Sequence, residues 1–248
     1  MFKDHFSQQA ADYNRYRPGY PEELFAWLAR QTGRNETAWD CGCGNGQASL
    51  GLVPFYRQVI ATDSSPRQIE NAFRHERVSY VVASAEESGL SDGSVDLIVV
   101  AQALHWFDFD RFYREVRRVA AQGAVLAAVS YGEVRVEGGA AAVLSHFYHD
   151  IIAPYWPPER RHVDEGYAGI PFPFSCIESP RFVMEVDWNQ EQLLGYLSTW
   201  SAVGEFKKQN GRDPRELIDD DLRNTWGKAE QVRRVSWPLT LQVGRVGK

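Results

Sequence analysis

Short runs of β-branched and small apolar residues alternate with amphipathic stretches through the first half of the chain. That rhythm predicts parallel strands joined by crossover helices, an α/β fold. Behind Pro21, at a helix's first position, Leu24, Phe25, Leu28 and Ala29 form one apolar stripe, and a strand follows from Thr37 to Cys41. A glycine turn leads to a helix from about Gln47, and Gln58 to Asp63 reads as a second strand. Ser65, Pro66 and Gln68 then supply an N-cap, a first-turn proline and a capping-box partner. Val78 to Ser84 is a third strand. Val95 to Ala101 is almost continuously apolar, which implies burial on both faces and a central place in the sheet. Asp108 caps a helix carrying Phe112, Val116 and Val119, and Gly123 opens a fifth strand from Ala124 to Ser130.

Beyond Tyr131 the rhythm breaks. Pro154, Trp156, Pro157, Pro158, Pro171 and Pro173 punctuate an aromatic-rich region, which predicts an irregular cap. Arg181 to Trp188 reads as a strand, Asn189 caps a helix bearing Leu193, Leu194, Leu197 and Trp200, and Asp213-Pro214 with Glu216 opens another. Arg233 to Val246 closes the sheet, with Pro238 favouring an edge position or a bulge. The expected architecture is a doubly wound, seven-stranded, mostly parallel sheet with an antiparallel last strand and a C-terminal cap insertion. Residues 1–35 form an N-terminal lid and helix, 36–132 the ligand-binding core, 133–230 a cap that includes a sheet strand, and 231–248 the terminal strand.

Composition narrows the partners. The 27 basic and 33 acidic residues leave a net charge of -6 with no long basic block, so the electrostatic footprint of a nucleic-acid binder is missing. The longest strongly apolar stretch, Leu97 to Ala101, is far too short for a membrane span, and the charged N-terminus lacks a leader-like run, which points to the cytosol. Three cysteines cannot all pair, and Cys41 and Cys43 sit in a glycine cluster that suits neither a disulfide nor a zinc site. His146 and His149 are three residues apart without a third ligand nearby, so no metal is expected. Aromatic residues make up 13% of the chain and include eight Trp, which suggests a pocket for a planar or apolar ligand.

The segment Asp40-Cys41-Gly42-Cys43-Gly44-Asn45-Gly46 ends the first strand, where glycines permit a tight turn and close approach of a ligand. Dinucleotide binding wants Gly-x-Gly-x-x-Gly, whereas here the third glycine falls at Gly46, and Asp40 would face pyrophosphate charge. S-adenosylmethionine, with an ammonium, a sulfonium and no phosphate, removes that repulsion, while exposed amides could still receive its carboxylate. The acid and the three alternating glycines resemble the first motif of class I S-adenosylmethionine-dependent methyltransferases.

That resemblance implies roles in chain order. Asp40, Gly42, Gly44 and Gly46 would cradle the cofactor; Asp63, with Ser64 beside it, would accept the ribose hydroxyls; Ala85 and Glu86 would border the adenine. Gln102 would reach the cofactor from the end of the fourth strand, the crevice side of a doubly wound sheet. More narrowly, Ala11 to Pro21 together with Gln102 to Asp108 resemble the small-molecule branch of type 11 methyltransferases that includes trans-aconitate methyltransferases. In that branch the N-terminal segment folds over the cofactor, which would bring Tyr13 and Arg17 near a carboxylate. Trp106 and Trp200 are further candidates for substrate contact, although Trp200 also fits the apolar stripe of its helix. The Asn/Asp-Pro-Pro-aromatic signature of adenine N-methylation is replaced by Gln102-Ala103-Leu104, which disfavours nucleobases. The implied acceptor is a small-molecule carboxylate, or a hydroxyl for which His105 would be the base. A nicotinamide-dependent oxidoreductase and a non-catalytic cofactor-binding protein are the alternatives, and the sequence leaves the oligomeric state open.

Overall fold

The computed structural model describes residues 16–247. Helix α1 (Glu22–Gln31) buries Leu24, Phe25, Leu28 and Ala29, the predicted stripe; Pro21 stands as its N-cap, one residue earlier than expected. Strand β1 (Thr37–Cys41), helix α2 (Gln47–Leu52), strand β2 (Gln58–Asp63), helix α3 (Pro66–Glu70), strand β3 (Val78–Val82) and strand β4 (Val95–Ala101) follow. The Ser65 hydroxyl accepts the Gln68 N–H to start α3, as its sequence signature requires. Helix α4 (Phe109–Val119) is capped by Asp108 and runs directly into β5 (Ala120–Tyr131). β5 starts earlier than Gly123 because Ala120 already pairs with Val95, across an irregularity in the ladder.

The sheet order is β3-β2-β1-β4-β5, all parallel, so the chain reverses direction across the sheet between β1 and β4. Ligands of such sheets bind beyond the strands' carboxyl ends at that switch. β4 lies centrally: Leu97 and Val99 pack into the layer with α1 and α2, while Ile98 and Val100 pack into the layer with α4. The alternation explains the unbroken apolar run.

The sheet has nine strands rather than seven, and the additions lie after β5. Two-residue strands β6 (Arg135–Val136) and β7 (Ser175–Cys176), together with β8 (Val183–Trp188), all pair antiparallel with the long β9 (Arg233–Arg245). β9 in turn pairs antiparallel with β5, so it is an interior strand. Pro238 is tolerated where β5's pairing with β9, ending at Leu239, gives way to β6's, beginning at Ser236. The Leu239 N–H points to the other side, onto the Phe182 carbonyl.

Residues after β6 build the cap over the carboxyl ends. Helix α5 (Ala140–His146) widens into a π turn at Phe147–Ile151, and a 3-10 turn, Ala153–Tyr155, precedes α6 (Arg160–Asp164). The Asn189 capping box starts α7 (Gln190–Ser198), α8 covers Ser201–Asn210, and α9 covers Asp219–Trp226. Trp200 is therefore the residue between two helices rather than the end of one. Asp213 caps only a short 3-10 turn, Pro214–Leu217, where a helix was expected. Phe147, Tyr148, Tyr196, Trp200 and Trp237 form a separate aromatic core beneath this layer.

Candidate functional site

The glycine turn after β1 is held by its own amides. Gly42 and Cys43 N–H groups both donate to the Thr62 carbonyl at 2.8 and 2.9 Å, and Gly46 N–H donates to Cys43 O at 2.9 Å. The Asp63 carboxylate accepts Gly44 N–H at 2.9 Å and Ser65 N–H at 2.8 Å. The amides of Gly42, Cys43, Gly44 and Gly46 are thus spent inside the protein, contrary to the expectation that they receive a ligand carboxylate. They set the shape of a pocket wall instead. Gly42, Gly44 and Gly46 all have positive φ, between 53° and 89°, which side chains disfavour.

A cavity of about 1140 Å³ opens over this turn. Gly42, Gly44, Asp63, Ser64, Ala85 and Gln102 line it, as does Trp106. Its far side is cap: Tyr155, Trp156 and Pro157 before α6, and Ser201, Gly204 and Lys208 on α8. A carboxylate can accept about four hydrogen bonds, so two backbone amides do not exhaust Asp63. A groove floored by glycines, with an acid at one end and Ala83 and Ala85 at the side, fits a nucleoside carrying vicinal hydroxyls and a flat base.

Three expected contacts lie elsewhere. Asp40 is fully buried behind the turn, where the Ser49 hydroxyl donates to it at 2.5 Å, and burial pushes its pKa up to about 7. Gly46 also faces away from the cavity: a Cβ there would overlap the Tyr80 hydroxyl, so this glycine exists for packing. Glu86 accepts the Asp108 N–H at 3.0 Å, bracing the start of α4 rather than the cavity wall.

A smaller annex of about 70 Å³ adjoins the first cavity and shares Gln102, Trp106, Tyr131, Trp156, Pro157 and Ser201 with it. Arg17, His105 and Trp200 line only the annex. The Arg17 guanidinium donates to the Tyr131 hydroxyl at 2.9 Å and stacks over Tyr196, 5.1 Å from the ring centre. His105 Nδ1 lies 3.1 Å from the Tyr167 hydroxyl; burial, with the positive charge of Arg160 and then His162 adding to it, lowers its pKa to about 3. Tyr13 lies outside the described residues. Gln102 has φ of 56°, unusual for a residue with a side chain, and its Nε2 donates to Tyr131 O at 2.7 Å. Its Oε1 is buried without a partner. Sequence reasoning missed Tyr131, Trp156 and Arg160; the Pro- and Trp-rich stretch located the cap but marked none of the three as site residues.

Among the described residues no group of three or more His, Cys, Asp or Glu could hold a metal ion. His146 instead meets Asp150 and His149 meets Glu133. No helix there is long and apolar enough to cross a membrane.

A sheet that reverses at β1/β4, a glycine turn at that switch and an acid ending β2 define a nucleoside-cofactor enzyme of the Rossmann-like class. Comparison with known proteins gives the family. A methyltransferase-domain model matches residues 39–128. A Dictyostelium discoideum protein named as a methyltransferase is 33% identical over 225 residues, 89% of this chain and 86% of that one. A solved structure described as a type II methyltransferase from Anaeromyxobacter dehalogenans is 49% identical with a TM-score of 0.88, covering 93% of this chain and 98% of that one. A Mycobacterium tuberculosis protein named as a methyltransferase matches at 36% identity over about half of each chain. The chain belongs to the class I S-adenosylmethionine-dependent methyltransferases, and S-adenosylmethionine is its cofactor. Family membership selects methyl transfer over the nicotinamide alternative.

Proposed function

We propose that this enzyme methylates a small-molecule acceptor at a carboxylate or hydroxyl oxygen, inside the cavity enclosed between the glycine turn and the cap. One observation carries the reading. The cavity's roughly 1140 Å³ exceeds the space one ligand usually fills, and it runs without a break from Asp63 to Trp156 and Lys208. Cofactor and acceptor can therefore share one enclosed chamber, and the net charge of -6 favours a small molecule over a nucleic acid.

In this reading Gly42 and Gly44 floor the cofactor site, Asp63 accepts the ribose hydroxyls with Ser64 beside it, Ala85 flanks the base, and Gln102 meets the methionine end. When bound, S-adenosylmethionine supplies a methyl group already activated by positive sulfur. What remains for the chain is alignment and exclusion of water. Trp106, Tyr131 and Trp156 present apolar faces where the two ligands would meet, and Tyr155 and Lys208 line the acceptor's side. His105, with its pKa near 3, is neutral at physiological pH and a weak base, so an acceptor oxygen that is already ionised suits the site better than a hydroxyl. The N-terminal segment through Arg17 is read as a cover over this chamber, residues 36–132 as the cofactor-binding unit, and the setting as cytosolic.

The test is incubation of the protein with methyl-labelled S-adenosylmethionine and a metabolite extract, followed by mass spectrometry. Label in a compound below about 1000 Da supports the reading. Label confined to protein or nucleic acid refutes it.

A further inference from the structure

The annex lies at the acceptor end of the chamber and has no role in the cofactor contacts above. The charged side chains lining it are two, Arg17 and Arg160, both cationic, and no described carboxylate lines it. Arg160 is held in place on three sides. Its Nε donates to the Tyr148 hydroxyl at 2.9 Å and to Asp164 at 3.0 Å, and its guanidinium lies 4.6 Å from the Trp156 ring centre. Both bonds use Nε, so the two terminal nitrogens, which form the fork that grips planar anions, are uncommitted. Arg17 is fixed by Tyr131 and stacked on Tyr196. Two immobilised guanidiniums beside one small apolar-walled space are costly unless a negative group joins them. The positive field has a visible effect: both arginines act on the buried Tyr196 hydroxyl, and Arg160 is the first charged group holding His105 neutral.

We propose that the annex is an anion subsite in which Arg17 and Arg160 grip a carboxylate carried by the methyl acceptor. This inference rests on the chamber holding cofactor and acceptor together. A carboxylate whose lone pairs are taken by two guanidiniums is a poor nucleophile, so it serves as a handle. The receiving oxygen lies elsewhere on the acceptor, in the wide cavity on the other side of Gln102. Trp106, Trp156 and Trp200 around the annex pack the carbon skeleton next to the handle. The acceptor class is thus a compound with one carboxylate handle and a separate nucleophilic oxygen, and a neutral acceptor is selected against because it would leave both cations unpaired.

The experiment uses the full chain saturated with S-adenosylhomocysteine and titrated, by tryptophan fluorescence, with a panel of four- to eight-carbon carboxylic acids and their primary amides. Acid and amide match in size and differ in charge. We expect at least one acid to bind tenfold or more tightly than its amide, and Arg160→Gln to reduce that ratio to within twofold while S-adenosylhomocysteine affinity changes less than twofold. Equal binding of every acid and its amide overturns the proposal, as does absence of any acid binding. An Arg160→Gln variant that loses S-adenosylhomocysteine tenfold also overturns it, because the annex would then serve the cofactor's own carboxylate. Wild-type protein that fails to bind S-adenosylhomocysteine would instead sink the cofactor reading. If Arg160→Gln does not fold, the acid-to-amide ratio of the wild type decides, and Arg160→Lys, which keeps charge but not the fork, should cut it about threefold.

Discussion

Asp63→Ala separates the two jobs of one carboxylate. Its oxygens accept Gly44 N–H at 2.9 Å and Ser65 N–H at 2.8 Å, so it holds the glycine turn and the start of α3 in register. In the proposed complex it also accepts ribose hydroxyls. The residue is half-buried, so water can replace part of what the backbone amides lose. The cost to the empty protein is then about 1–2 kcal/mol, or roughly 2–8 °C in Tm for a chain of this size. Loss of the ribose contacts, at about 1.5–3 kcal/mol for a hydrogen bond to a charged group, adds to that and weakens S-adenosylhomocysteine binding about 100- to 1000-fold. Calorimetric titration gives the second number and ligand-free thermal melting the first. Asp63→Asn sharpens the comparison. Its oxygen can still accept one amide, but its NH₂ must face the other donor, so it should melt below the wild type and bind only weakly. Unchanged affinity in Asp63→Ala alongside a lower Tm would leave Asp63 a scaffold residue and refute the ribose role.

Gly46→Ala should destabilise the fold by about 2 kcal/mol or more, because the new Cβ meets the Tyr80 hydroxyl at a φ of 89°; an unchanged melting curve would show that the turn relaxes freely. Asp40 titrates near 7 in the fold against a model value of 3.8, so its contribution to stability is fully present below about pH 4 and is lost as pH rises through 7. Asp40→Asn should remove up to about 4 kcal/mol of that pH dependence, and denaturant unfolding at pH 5 and pH 8 with the same slope as wild type would contradict it. Because His105 is neutral above about pH 3, the kcat profile should carry no rising limb near pH 6–7. Such a limb, if present and abolished in His105→Gln, would restore His105 as a base.

Where side-chain periodicity and local capping decide structure, the sequence was legible. The stripe of α1, the alternating layers of β4 and the caps at Ser65, Asp108 and Asn189 all follow from interactions within a few residues. Asp63 at the mouth of the chamber was legible too, since a strand end near a glycine turn has few other uses. The direction of individual side chains was not. Asp40 and Asp63 each stand at the end of a strand, but neighbouring residues on a strand face opposite sides, and Asp40 falls on the inner one, against Ser49. Gly42, Gly44 and Gly46 look equivalent in the motif, yet Gly46 is required by Tyr80, a residue 34 positions on, and no local pattern announces that contact. The two-residue strands β6 and β7 carry no periodicity to read, which is why nine strands looked like seven.

Gln102 ties the legible part of the site to the hidden part. A non-glycine residue at φ 56° is strained, by about 1–2 kcal/mol, and persists only when its surroundings over-determine it. Here they do: its N–H donates to Val129 O at 2.8 Å and its Nε2 to Tyr131 O at 2.7 Å, so backbone and side chain are both anchored to β5. The result turns the chain abruptly at the switch point and presents Oε1, buried and unpartnered, in the wall common to chamber and annex. A buried amide oxygen without a donor is itself costly. Folding therefore spends free energy twice on one residue, and on the side of the sheet where ligands bind. Tyr131, the next anchor along β5, receives Arg17 on its hydroxyl and Gln102 on its carbonyl. The strained strand end and the cationic annex are consequently one hydrogen-bonded unit, and a ligand that supplies a donor to Gln102 and an anion to the arginines would relieve both costs together.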